Sequence, residues 1–175
     1  MNIKKFQEEV LRPLKVLESE KENLCHAVMG MHSELNEIMD ASEQDDDVNL
    51  GEESGDLIFY MAAYCNFRKL DLQSIWDAKL PDGKVLPHIY WTSKLQDLVK
   101  KFLAYDKEID VVAEVNILQE LSRSVKYEMD MEDLDLKSIL QNNIDKLRVR
   151  YPEKFSNYNA INRNLKAERK ELEKK

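Results

Sequence analysis

The chain is poor in residues that interrupt helices. Gly and Pro each occur only four times among 175 residues. The long stretches between them are rich in Leu, Glu, Lys, Met and Ala, which favour helix over strand. This composition argues against a strand-rich architecture and predicts an all-α fold, a helical bundle.

An excess of positive charge is also missing. Lys and Arg number 26 against 34 Asp and Glu, which gives a net charge of -8. Such a chain has no broad attraction for a polyanion, so we expect neither a nucleic acid nor an anionic membrane as a partner. A local basic cluster could still bind a small polyphosphate.

Long apolar runs and cysteine clusters are absent as well. No run of about 20 apolar residues occurs, and residues 1–9 turn acidic where a secretory signal would need an apolar core. Cys25 and Cys65 have no second Cys or His pair at zinc spacing, so we expect reduced, buried thiols. With 43% hydrophobic residues, we predict one soluble, cytoplasmic domain over residues 1–175.

Apolar residues at three-and-four spacing predict the helices. The second and third helices should form an antiparallel hairpin, and the charged last helix is interpreted as a solvated face. Pro81, Gly83 and Pro87 mark a break between two comparable halves. The predicted helices cover residues 2–18 with an interruption at Pro13, 22–41, 50–67, 92–105, 110–128, 134–151 and 158–175.

A seven-residue phrase occurs in both halves. Leu-Asp-Leu-Gln-Ser-Ile-Trp at 70–76 matches Leu-Asp-Leu-Lys-Ser-Ile-Leu at 134–140 in five of seven positions. One interpretation is a duplicated helical unit, and the other is a common helix-start phrase. In a duplication the second copy has lost its acids, since Tyr105 falls opposite Glu34.

Two pairs of acids with a three-residue spacing suggest a metal site. Glu34 with Glu37, and Glu53 with Asp56, each lie on one face of a helix. Carboxylates 4 Å apart repel by roughly 4 kcal/mol per pair at an effective dielectric near 20, so a converged cluster needs a cation or a proton. A set made only of carboxylates suits magnesium or manganese.

The spacing alone is not specific in so acidic a chain. Glu132 with Asp135 and Glu168 with Glu171 have the same spacing, and we interpret both pairs as solvated helix faces. Gly55 lies beside the second acid pair. A glycine inside a helix costs up to about 1 kcal/mol of stability unless close packing needs the space. A frayed helix start is the alternative.

A basic cluster precedes Pro152. Lys146, Arg148 and Arg150 provide three cations in five positions, and Lys146 and Arg150 share one helix face. These cations could bind a polyphosphate. They could equally be favoured by the helix macrodipole before a stopping proline, and the residues alone do not decide between the two interpretations.

The order of these motifs resembles a known family, the all-α nucleoside triphosphate pyrophosphohydrolases of the MazG-like superfamily. The resemblance covers about residues 22–72 and 138–170. It is carried by His26, Gly30, Ser-Glu-Leu-Asn-Glu at 33–37, Glu-Glu-Ser-Gly-Asp-Leu at 52–57, Asn-Ile-Asp-Lys-Leu-Arg-Val-Arg-Tyr-Pro-Glu-Lys-Phe at 143–155 and Ala-Ile-Asn-Arg at 160–163.

The resemblance implies that the four acids hold Mg2+, with Mn2+ as a substitute. Water would attack between the α- and β-phosphates and release a monophosphate and pyrophosphate, with Glu37 as the carboxylate that orients or deprotonates it. Lys146 and Arg150 would neutralise phosphate charge, and Asn143 and Tyr151 would lie near the nucleotide.

One departure concerns the family's first acid, which falls on Ser33. It leaves open a catalytically weak or inactive bundle that binds nucleotides or another protein. The segments are then a metal-binding hairpin at 22–72, an insertion or degenerate repeat at 76–133, a phosphate-binding helix at 134–155 and a charged C-terminal helix at 156–175.

The resemblance also bears on assembly. Relatives place their active sites between bundled chains, so a homo-oligomer, a dimer, is expected. A duplicated chain could instead be pseudo-dimeric, with acids from its first unit and cations from its second completing one site.

Overall fold

The computed structural model describes residues 1–173, and the regular structure in this range is entirely helical. The all-α prediction is confirmed. None of the helices in this range combines the length and the apolar character needed to span a membrane. The helices are α1 (Ile3–Val10), α2 (Glu20–Glu43), α3 (Asp47–Arg68), α4 (Leu72–Trp76), α5 (His88–Tyr105), α6 (Val111–Met131), α7 (Leu136–Arg150), α8 (Asn157–Ile161) and α9 (Leu165–Leu172).

The predicted hairpin is formed by α2 and α3. A capping box begins α2, because the Ser19 side chain accepts from the Glu22 amide while Glu22 accepts from the Ser19 amide. A three-residue turn follows, in which Asp45 is left-handed with φ 53° and Asp46 caps α3 through the Asn49 amide. The two helices pack along their lengths, so both acid pairs lie on one rigid unit.

The helix that ends each proposed repeat unit packs on the other half of the chain, an arrangement that we call the helix exchange. Within the bundle α5 packs on α2, α4 packs on α6, and α7 packs on α3. In the proposed repeat α4 and α7 are equivalent, as are α3 and α6. Each unit therefore lays its last helix on the long helix of the other, which is the reciprocal pattern of a twofold-related pair. This exchange supports the duplication, which stays a prediction.

The repeated phrase has the same local structure in both places. It follows a left-handed residue, Lys69 with φ 56° or Asp133 with φ 51°. Its aspartate then caps the next helix: the Ser74 hydroxyl donates to Asp71 at 2.6 Å, and the equivalent pair before α7 is joined at 2.7 Å. The phrase is thus a helix start in both copies, and the helix exchange is the feature that points beyond a common phrase.

Two predicted helix bounds at the termini are wrong. The first helix ends at Val10, short of residue 18, because Pro13 cannot continue it and the Arg12 guanidinium donates to the Tyr151 carbonyl. The predicted helix over 158–175 is instead two short helices, α8 and α9. Residues 174–175 lie outside the part of the chain that is described.

The core runs through α1 to α7 and contains one unexpected side chain. Lys146 ranks with Phe6 and Tyr64 among the largest side chains that are fully buried. Cys65 is a buried free thiol, as predicted, whereas Cys25 is only half-buried. A fully buried lysine requires counter-charges, and its partners define the candidate site.

Candidate active site

Three of the predicted metal ligands converge. Glu34 and Glu37 on α2 and Glu53 on α3 each offer a carboxylate oxygen, and these oxygens all lie within 4.8 Å of one another. Glu34 is 8% exposed and Glu53 is 6% exposed, whereas Glu37 is exposed to solvent. The hairpin therefore brings three of the four predicted carboxylates together and leaves one of these three, Glu37, accessible.

The two buried carboxylates carry the electrostatic cost of this convergence. Burial and then the nearby Asp56 charge raise the pKa of both Glu34 and Glu53 well above the usual glutamate range. A hydrogen bond joins the two carboxyls, so a proton held between them relieves the repulsion. A bound cation would remove the same repulsion without the proton.

Asp56 is held by the second half of the chain. Its carboxylate accepts from the Asn143 amide at 2.5 Å and from the Lys146 ammonium at 2.5 Å. Lys146 also donates to Glu52 at 3.1 Å. Burial alone would lower the pKa of Lys146, but the Asp56 and Glu52 carboxylates raise it, so the ammonium stays charged.

This arrangement places Lys146 and Asn143 behind the acids. Lys146 has no exposed surface and Asn143 is 1% exposed, so direct contact with a substrate would require the bonds to Asp56 to open. Close packing against α7 explains the glycine inside α3, because a Cβ at Gly55 would lie 3.1 Å from the Asn143 Cβ. Gly55 is well inside α3 and buried, so a frayed helix start is the wrong interpretation.

A cleft of about 810 Å³ opens in front of the acids. Carboxylates, cations and aromatic rings all contribute to its walls. The residues with these side chains are Glu34, Glu37, Glu52, Glu53 and Asp56, then Lys15, Arg150 and Arg163, then His26, Phe59, Tyr60, Tyr151 and Phe155. Among the predicted phosphate-binding cations, Arg150 lines this cleft and Lys146 does not.

The arginines of the cleft share one carboxylate. Glu168 on α9 accepts from Arg150 at 2.6 Å and from Arg163 at 2.8 Å, and it is 2% exposed. These bonds lower the pKa of Glu168 against the effect of its burial. The interpretation of Glu168 as part of a solvated helix face is wrong, because α9 packs on α7 and buries it.

Aromatic rings stand close to both the acids and the arginines. The Tyr60 ring lies against the α2 backbone, where a Cβ at Gly30 would come within 2.4 Å of it. The Tyr60 and His26 rings are in a T-shaped arrangement, with ring centroids 5.8 Å apart. Tyr151 is 6% exposed, and its ring centroid lies 5.3 Å from that of Phe155. Stacking surfaces therefore adjoin the charged groups.

Several site residues escaped the sequence prediction. Gly30 in mid-helix is the signal that could have revealed the close approach of Tyr60. Arg163 belongs to the Ala-Ile-Asn-Arg motif at 160–163 but had no predicted role. Glu52 directly precedes Glu53, a predicted metal ligand. Glu168 carried no usable signal, since its spacing is that of a surface pair and only the packing of α9 buries it.

Comparisons of the chain with protein-family models, with curated proteins and with solved structures find no match. The resemblance to the MazG-like superfamily therefore rests on the order of the motifs within the chain.

Proposed function

We propose that the chain is a MazG-like pyrophosphohydrolase that converts a nucleoside or deoxynucleoside triphosphate to the monophosphate and pyrophosphate with Mg2+. The observation that carries this proposal is the composition of one cleft. Converging carboxylates, two arginines and aromatic rings line the same space. These are the groups that would hold a metal, a polyphosphate and a base.

The acids fit a hard divalent cation. Glu34, Glu37 and Glu53 supply only oxygen donors, which Mg2+ and Mn2+ prefer. Their convergence is costly without positive charge, as the raised pKa of Glu34 and Glu53 indicates. Asp56, the fourth predicted ligand, also lines the cleft. When bound, such a cation would stabilise phosphate charge and make a coordinated water more acidic.

Glu37 is the best candidate for the general base. It is exposed, whereas Glu34 and Glu53 are buried, so a water molecule in the cleft can reach it. In the proposed reaction Glu37 accepts a proton as the water oxygen bonds to the α-phosphorus. The bond from that phosphorus to the bridging oxygen breaks, and pyrophosphate leaves with that oxygen.

The remaining walls suit the rest of a nucleotide. Arginine matches phosphate oxygens with paired donors, which gives Arg150 a role with the phosphates. Tyr60, Tyr151 and Phe155 offer ring surfaces to a base or sugar. A volume of about 810 Å³ lies within the usual range of small-molecule sites.

The proposal is tested with the purified full chain, Mg2+ and a panel of common and modified triphosphates. Release of pyrophosphate and monophosphate is the expected result. Glu37→Gln should lower kcat by about 10²- to 10⁴-fold, the usual contribution of a general base. Glu132→Gln is the matched control, because Glu132 has the same acid spacing but is exposed and lies outside the cleft.

Other products would contradict the proposal. Release of orthophosphate alone would mean attack at a different phosphorus. Nucleotide binding without any product would favour the alternative, a nucleotide-binding bundle that lacks catalysis. Full activity in Glu37→Gln would remove Glu37 from the role of base.

A single chain can supply the whole proposed site. The acids come from α2 and α3, and Lys146 and Arg150 come from α7 of the same chain. We therefore propose that the pseudo-dimeric arrangement suffices for catalysis, even where the expected homodimer forms. Sedimentation shows whether a dimer dissociates on dilution, and specific activity should stay constant through that dissociation. A loss of activity in proportion to the dissociated fraction would contradict this.

A further inference from the structure

Glu168 joins two cations that come from different parts of the chain. Arg150 ends α7, and Arg163 lies between α8 and α9. Each uses its Nε and Nη2 groups to donate to Glu168, at distances from 2.6 to 3.2 Å. Both arginines line the cleft that contains the acids. Glu168 itself does not line it.

Charge explains why the two arginines can lie together. Two guanidinium groups at one carboxylate would repel each other without it. Glu168 offsets one of the two positive charges, and one remains toward the cleft. Each guanidinium has five N–H donors, more than Glu168 engages, so both keep donors for a second anion.

We propose that Glu168 assembles Arg150 and Arg163 into a two-arginine clamp for the pyrophosphate portion of the substrate. This inference rests on the proposed function. Two planar donor groups side by side match two consecutive phosphates, whereas a monophosphate would engage only one. Arg163 is then a substrate-binding residue, and Glu168 is a positioning residue.

The opposite role for Glu168 would be competition with phosphate for the arginines. The burial of its side chain, 3% exposed, and its bonds to both arginines favour positioning. Arg163 is 38% exposed and donates twice to Glu168, so these bonds hold its guanidinium at the cleft. The two roles differ in sign, because loss of a positioning carboxylate weakens phosphate binding and loss of a competitor strengthens it.

The test measures binding of inorganic pyrophosphate by calorimetry at a fixed excess of Mg2+. Arg163→Gln and Glu168→Gln should each weaken binding about tenfold, the loss expected for a charge-assisted bond. Glu168→Asp should recover part of the affinity. Glu173→Gln is the matched control, since Glu173 pairs with Arg169 at the exposed end of α9, and its binding should equal that of the wild type.

Unchanged binding in Arg163→Gln, or tighter binding in Glu168→Gln, would overturn the inference. If Glu168→Gln does not fold, pyrophosphate binding by Arg163→Gln tests the clamp alone, because Arg163 is exposed. If hydrolysis depends on Glu37 but the variants bind pyrophosphate as the wild type does, the clamp is contradicted and the proposed function stands. If the variants lose pyrophosphate binding but the chain hydrolyses no triphosphate, the clamp stands and the proposed function is contradicted.

Steady-state kinetics separate positioning from a general loss of structure. Glu168→Gln should raise KM for the triphosphate more than it lowers kcat, because the reacting carboxylates on α2 and α3 are untouched. A fall in kcat at constant KM would point to damage at the acids and would contradict the clamp.

Discussion

The Lys146 ammonium donates to the Asp56 carboxylate at 2.5 Å, across 90 residues of sequence and with no lysine surface exposed. This ion pair fixes α7 on α3 at the level of the acids. Only the lysine of this pair is fully buried, because the Asp56 side chain is 21% exposed and also accepts from Asn143. Loss of Lys146 would therefore leave carboxylates that remain partly solvated.

Lys146→Met should lower the free energy of unfolding by about 1–3 kcal/mol, the usual cost of removing one partner from a hydrogen bond. Its removal leaves Asp56 and Glu52 without their cation. Urea denaturation measures the loss. Lys137→Met on the exposed face of the same helix should change stability by no more than about 0.5 kcal/mol.

A double variant tests the cause. Combined with Lys146→Met, Asp56→Asn should cost less than the sum of the two single changes, since the interaction between Lys146 and Asp56 is then lost only once. Additive losses would mean that Lys146 stabilises the protein by packing and that its charge is not responsible.

Stability without metal should fall as the pH rises from about 5 to 8. The pKa values of Glu34 and Glu53 are raised in the folded state above their ordinary value of 4.5. Above pH 4.5 the folded chain thus holds more protons than the unfolded chain, and its stability declines by up to about 1.4 kcal/mol per pH unit for one proton. Thermal unfolding in a chelator across this range measures the decline.

Glu34→Gln is the control for this pH dependence. The variant keeps a hydrogen-bonding group but cannot ionise, so its pH profile should be flatter than that of the wild type. His26 acts in the opposite direction, because burial lowers its pKa, and its contribution is the same in both proteins. Equal profiles would show that the carboxyl pair does not share a proton.

Magnesium should oppose the loss of stability at higher pH. A cation that binds only the folded state raises the Tm by mass action, and its affinity should grow with pH because it displaces a proton. The rise in Tm should be larger at pH 8 than at pH 6 and should disappear in Glu53→Gln. A rise that persists in this variant would place the cation elsewhere.

Gly30→Ala should destabilise the protein although Ala is the better helix former. The added Cβ would lie 2.4 Å from the Tyr60 ring, and overpacking of this kind costs about 1–3 kcal/mol. Gly51→Ala in α3 meets only Ile139 at 4.0 Å and should stabilise by about 0.4–1 kcal/mol. Calorimetric unfolding compares the two, and stabilisation by Gly30→Ala would show that Tyr60 is free to move.

Local rules were enough to predict the hairpin and the end of α7. The apolar spacing around Leu24 and Leu57 predicted α2 and α3, and α7 ends at Arg150 just before Pro152. Three of the four predicted carboxylates, Glu34, Glu37 and Glu53, converge, because helix periodicity and a short turn fix which faces meet. These features depend on residues close together in sequence.

Contacts between distant segments were beyond the same reasoning. The burial of Lys146 depends on α3, and the burial of Glu168 depends on how α9 packs against α7. By contrast, the start of α5 at His88, four residues before the predicted start at Thr92, had a local signal in Pro87, which was interpreted only as a break. Periodicity cannot distinguish a charge that faces water from one that faces another helix.

The helix exchange between the two halves has a consequence for synthesis of the chain on the ribosome. The acids of α2 and α3 emerge early, but their buried counter-charge arrives only with α7, and the arginines meet Glu168 only after α9. A nascent chain therefore carries an incomplete centre until α7 and α9 have been synthesised and packed. The proposed activity would begin only when these two helices have joined the bundle, and a product cut before α7 would consume no nucleotides.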